Sequence, residues 1–61
     1  MNGFSVDDEV QVTKPIISGM EGQIGKIICF DRTDMLIPIC IKFPNREGYL
    51  WFAPSELTKL N

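Results

Sequence analysis

The sequence predicts an all-β domain, a small five-stranded curled antiparallel barrel occupying residues 1–61 as one unit. Ile37, Ile39, Ile41 and Phe43 alternate with Pro38, Cys40 and Lys42, and this period of two puts a row of large apolar groups on one strand face. A second, aromatic stretch, Tyr49-Leu50-Trp51-Phe52, follows the turn-forming Pro44-Asn45-Arg46-Glu47-Gly48, so the pair reads as a β-hairpin. No segment carries the apolar spacing of a long helix.

Taken in chain order, Ser5 to Glu9 form a polar entry. Val10 and Val12 then alternate with Gln11 and Thr13, giving a first strand over 9–13. Pro15 and Gly19 open a loop that runs to Gly22. The second strand covers 24–30 and contains Gly25; glycine inside a strand marks a bulge or a close backbone approach. Asp31 to Asp34 form a polar turn, 37–43 the third strand and 48–52 the fourth. Ala53-Pro54-Ser55-Glu56 reads as one short helical turn, and 57–60 as a closing strand. Curling into a barrel protects strand edges that a flat sheet leaves open. The expected core is Val10, Val12, Ile24, Ile27, Ile39, Ile41, Leu50, Phe52 and Leu57, with Val6, Ile37, Phe43 and Leu60 at its ends.

Composition narrows the functional classes. A chain of 61 residues buries only about 60% of its unfolded surface, so little core is available. Six basic and eight acidic side chains give a net charge of −2, which supplies no general attraction to nucleic acid or to an anionic membrane. Histidine is absent, and with it the usual neutral-pH base and the commonest metal ligand. The longest nearly apolar run, Met35 to Ile41, is too short to span a bilayer. Met1-Asn2-Gly3-Phe4 lacks the basic start and apolar run of a secretory leader, and Asn2 excludes N-terminal myristoylation. The expectation is a cytoplasmic, reducing compartment, with Cys29 and Cys40 as free thiols.

Each chemistry-bearing group has a plain alternative. Asp7, Asp8 and Glu9 are neighbours on a strand entry, where successive side chains point apart, so they read as a solvated polar stretch rather than a cation site. The glycines between Gly19 and Gly25 lack the Gly-Lys-Ser/Thr ending of a phosphate loop and lead into a strand, so they read as corner residues. Cys29 and Cys40 fall on adjacent strands. A disulfide between them is geometrically possible, but two thiols without histidine make a weak metal site and a poor nucleophile, and small half-buried apolar groups is the plainer reading. Tyr49 and Trp51 are the strongest candidates. With Leu50 and Phe52 inward, strand alternation turns both outward, beside Pro38, Cys40 and Lys42 on the next strand. Either this face binds a partner, or loop 15–20 covers it with Ile16, Ile17 and Met20.

These residues carry a resemblance. Asp8-Glu9-Val10-Gln11-Val12, Gly22-Gln23-Ile24-Gly25-Lys26-Ile27, the strand from Ile37 to Phe43, and Phe52-Ala53-Pro54-Ser55-Glu56-Leu57 together resemble an SH3-like barrel. The pattern is similar to small non-catalytic subunits of photosynthetic electron-transfer complexes: photosystem I reaction-centre subunit IV, the variable chain of ferredoxin–thioredoxin reductase and the small subunit of the cytochrome b-f complex. It covers residues 6–60. The first half also resembles a KOW element. Small size, the absence of a catalytic constellation and the outward aromatics point to a non-enzymatic accessory or regulatory subunit that docks on a larger assembly, with no cofactor, metal, catalytic residue or small-molecule substrate expected; the resemblance implies a photosynthetic electron-transfer complex as that assembly. Its partner-binding residues are expected to be Tyr49, Trp51, Lys42 and Pro38. A KOW module implies instead RNA binding, with Lys14, Lys26 and Arg46 on phosphate and Tyr49 or Trp51 stacked on bases. The acidic balance favours a protein partner over nucleic acid.

Overall fold

A computed structural model describes residues 3–14 and 19–60. Five antiparallel strands form one sheet: β1 (Glu9–Val12), β2 (Ile24–Phe30), β3 (Ile39–Lys42), β4 (Tyr49–Phe52) and β5 (Leu57–Lys59), with a single 3₁₀ turn at Pro54–Glu56. The spatial order is β4-β3-β2-β1-β5. Hydrogen bonding does not link β4 to β5, so the sheet keeps two edges. Among the described residues no helix is long and apolar enough to cross a membrane.

One core nevertheless draws on both edges. Phe52 of β4, Leu57 of β5, Val10 and Val12 of β1, Ile27 of β2, and Ile39 and Ile41 of β3 belong to a single buried cluster with Met20 and Phe43. Among the described residues no helix or second sheet lies over this face, so a single sheet supplies most of the buried cluster. Phe43 and Phe52 meet edge to face at 5.9 Å, the geometry their ring quadrupoles favour.

The expected core needs correction at several positions. Ile24 is 44% exposed, and Phe43, expected at an end, is fully buried. Leu50 is only partly buried against the cluster. The register explains Ile24. Gly25 pairs with the inward Val10, so Gly25 and Ile27 face the core while Ile24 and Lys26 face out. The irregularity expected near Gly25 lies further on, between Ile27 and Cys29. Gly25 is instead a close approach. A Cβ there would stand 2.6 Å from Ile41 Cγ2 and 2.9 Å from the Lys42 carbonyl oxygen and from Phe43 Cδ1. Beyond the bulge the parity of β2 flips, and Phe30, paired with Ile39, packs against the core.

Polar links pin the connections to the sheet. Gly22 N donates to Val12 O at 2.8 Å and Val12 N to Gln23 O at 2.9 Å, so the arms of the β1–β2 loop extend the ladder. Thr13 N donates to Glu56 O at 2.9 Å. The Glu56 carboxylate reaches back to accept from Ala53 N at 2.8 Å, which holds the 3₁₀ turn although the side chain is buried. Lys59 pairs with Asp8 at 3.4 Å and donates to Gly3 O at 3.3 Å, fastening the first residues to β5. Residues 15–18 are outside the described set, and with them the expectation that Ile16 and Ile17 cover the outer face. Met20 itself is buried in the core cluster, where its Sδ accepts from Arg46 Nη1 at 3.2 Å.

Candidate functional site

The side of the sheet away from the core is organised by cross-strand rows. Tyr49, Lys42, Lys26 and Glu9 are successive Cα partners from β4 to β1. One step along β4, Trp51 is the partner of Cys40, which is in turn the partner of Cys29. Residues paired in this way share a face. The alternation of β4 therefore holds as read from the sequence: Phe52 is buried, while Tyr49 and Trp51 keep 62% and 39% of their surface in water.

The four expected partner-binding residues are not equivalent. Tyr49 and Trp51 stand together on the edge strand. Lys42 lies in their row, but its ammonium is engaged within the chain, donating to Arg46 O at 2.6 Å and to Phe43 O at 3.2 Å. These bonds close the β3–β4 turn, so the Lys42 charge is committed to the hairpin. Pro38 departs from the expectation of an exposed residue. It precedes β3, is buried, and its carbonyl accepts from Asp31 N at 2.8 Å. Cys40 is also buried, at 1% exposed, although it lies on the outer side. Its cross-strand partners Trp51 and Cys29 sit on either side of it.

Next to this row runs a shallow groove of about 370 Å³, lined by Glu9, Ile24, Gly25, Lys26, Lys42 and Pro44. With Ile24 turned outward, its lining is largely apolar.

A further exposed feature went unread in the sequence. Met35 and Leu36 are 88% and 78% exposed, more than any other large apolar side chain described. The loop carrying them is not loose. Asp34 Oδ1 accepts from Leu36 N at 2.8 Å and from Ile37 N at 2.9 Å. Asp31 Oδ1 accepts from the Thr33 hydroxyl at 2.5 Å and from Thr33 N at 3.0 Å. These bonds, the hydroxyl first, hold the Asp31 carboxyl below the usual carboxylate range. The signal was present: two aspartates of the kind that fold a side chain onto the backbone a few residues on, flanking an apolar pair. The loop leaves Phe30 and re-enters at Ile39, the partner of Phe52, so it stands at the Trp51 end of β4.

The acidic residues of the first strand entry do not gather. Asp8 accepts from Ser5 N at 2.8 Å and pairs with Lys59, and Asp7 turns through a positive φ of 77° to donate its N–H to Ile27 O at 2.8 Å. Among the described residues no three His, Cys, Asp or Glu side chains form a group able to hold a metal ion. Cys29 and Cys40 are free thiols at partner positions across β2 and β3. No protein-family model, curated protein or solved structure matches the chain.

Proposed function

We propose that the chain is a non-enzymatic protein-interaction module, a small accessory subunit that docks on a larger assembly through the outer side of β4. The observation that carries this reading is the pair Tyr49 and Trp51, 62% and 39% exposed side by side on an edge strand. Large aromatics held by a rigid strand lose little entropy on binding and are the residue types that most often anchor interfaces. Met35 and Leu36, fixed by Asp34 at the same end of the strand, extend the apolar contact. An SH3-like barrel is the finer fold reading. It is supported by the position of β1 between β2 and β5, the long loop after β1, the β3–β4 hairpin and the 3₁₀ turn before β5.

The committed ammonium of Lys42 weakens a reading in which this face holds a phosphate backbone. Capture of partners from the native lysate, repeated with Tyr49→Ala, tests the proposal. The bound protein should be lost with Tyr49→Ala while the melting temperature stays within a few degrees. Tight RNA binding that weakens steeply with salt would overturn it.

A further inference from the structure

Cys29 and Cys40 are direct partners across the β2–β3 ladder. Asp31 N donates to Pro38 O at 2.8 Å two residues further along, and antiparallel pairs alternate in type, so the cysteines occupy a hydrogen-bonded pair. In such a pair the Cα atoms lie about 5.5 Å apart, within the roughly 4.4–6.8 Å that a disulfide spans. The ladder therefore sets the two thiols at neighbouring positions on the outer side of the sheet. Their surroundings differ sharply: Cys29 is open to solvent, and Cys40 is 1% exposed. Burial above all, then the hydrogen bond with Cys29 and the charge Cys29 can carry, pushes the Cys40 thiol up to about 11.

We infer that Cys29 and Cys40 form a reversible dithiol–disulfide site that exchanges with small-molecule disulfides of the glutathione class. The accessible Cys29 loses its proton to solvent, and its thiolate attacks one sulfur of the glutathione disulfide. The S–S bond of that reagent breaks, a Cys29–glutathione mixed disulfide forms, and one glutathione thiolate leaves and takes up a proton. Cys40, shielded from a second reagent but directly across the ladder from Cys29, then gives up its proton and attacks the Cys29 sulfur. It displaces the second glutathione thiolate, which is protonated in turn. Two electrons pass from the cysteine pair to the reagent, leaving one intrachain disulfide and two reduced glutathiones.

The geometry also makes the bond easy to undo. Cβ atoms in a hydrogen-bonded pair are about 5.5 Å apart, whereas a relaxed disulfide holds them at roughly 3.5–4.5 Å. Closing the bond must pull β2 and β3 together beside the register shift between Ile27 and Cys29. A strained bond with one exposed sulfur is the reducible kind, suited to cycling rather than to permanent cross-linking.

The test is intact-mass measurement of the full chain after incubation with oxidised glutathione and alkylation without reductant. Wild-type protein should lose two hydrogens, retain no glutathione and take up no alkylating agent. Excess reduced glutathione should restore both thiols. Cys29→Ser, changed at an exposed position, should leave Cys40 without a glutathione adduct under native conditions. A wild-type chain that keeps a glutathione on Cys29, stays a free dithiol, or links into covalent dimers would overturn the inference. So would glutathionylation of Cys40 in Cys29→Ser at the rate seen for Cys29.

Discussion

On β4, Phe52 is 1% exposed with its ring edge-on to Phe43, while one residue earlier Trp51 keeps 39% of its surface in water. The contrast continues across the sheet. On the inner side Val10, Ile27, Ile41 and Phe43 are buried in one cluster, and a Cβ at Gly25 would run into Ile41 and Phe43. On the outer side, Tyr49, Lys42, Lys26 and Glu9 form a mixed aromatic and charged row beside an open groove. The inner side is constrained by volume, so its residues are answerable to stability. The outer side is not constrained by volume in this way: Tyr49 and Trp51 keep 62% and 39% of their surface in water, and it is these two that the proposed function assigns to binding. The difference also shows where the division is incomplete. Cys40 lies on the outer side yet is buried, because Trp51 and Cys29 flank it.

Substitutions should reproduce this division. Phe52→Ala should cost about 3–5 kcal/mol, enough to unfold much of a domain this small; chemical denaturation measures it, and a loss below about 1 kcal/mol would place Phe52 outside the core. Gly25→Ala should cost about 1–3 kcal/mol through overpacking, because one of the atoms it meets is the backbone oxygen of Lys42. Its outward neighbour Lys26→Ala should stay within about 0.5 kcal/mol of wild type. Equal effects at these two positions would contradict the register of β2.

Smaller effects sharpen the outer side. Asp34→Ala should leave the global melt nearly unchanged but speed amide exchange at Leu36 and Ile37, whose N–H groups lose their acceptor. Asp31 should titrate below an aspartate in an unstructured peptide, because its bonds from Thr33 favour the ionised form. A depressed folded-state pKa means that these contacts help above the ordinary aspartate range and are lost as pH falls through the lowered value. NMR titration of the Asp31 carboxyl and the Thr33 amide checks both direction and window.

The inner side was largely legible in the sequence, because period-two alternation is a direct consequence of strand geometry. Val10 and Val12, Ile39 and Ile41, and Phe52 all face as their spacing requires. Ile24 and Ile27 were both expected inside, but their odd spacing allows that only if a bulge lies between them, and the bulge lies after Ile27. Bulge position depends on partner strands, which a local pattern does not encode. The outer side was legible at Tyr49 and Trp51 for the same reason of alternation. It failed at Pro38 and Cys40, where neighbours rather than parity decide burial. The exposure of Met35 and Leu36 was hidden by their continuity with the apolar strand that follows, although Asp34 marks the break.

The proposal that the exposed side of β4 binds a partner while its other side serves the core is tested most directly by Trp51→Leu. Leucine keeps an apolar cover over Cys40 and removes the indole, so folding and binding separate. Partner capture by this variant should weaken by about thirtyfold, the loss of roughly 2 kcal/mol expected of an aromatic anchor, while its melting temperature stays within a few degrees of wild type. Undiminished capture by a folded Trp51→Leu protein would contradict the account.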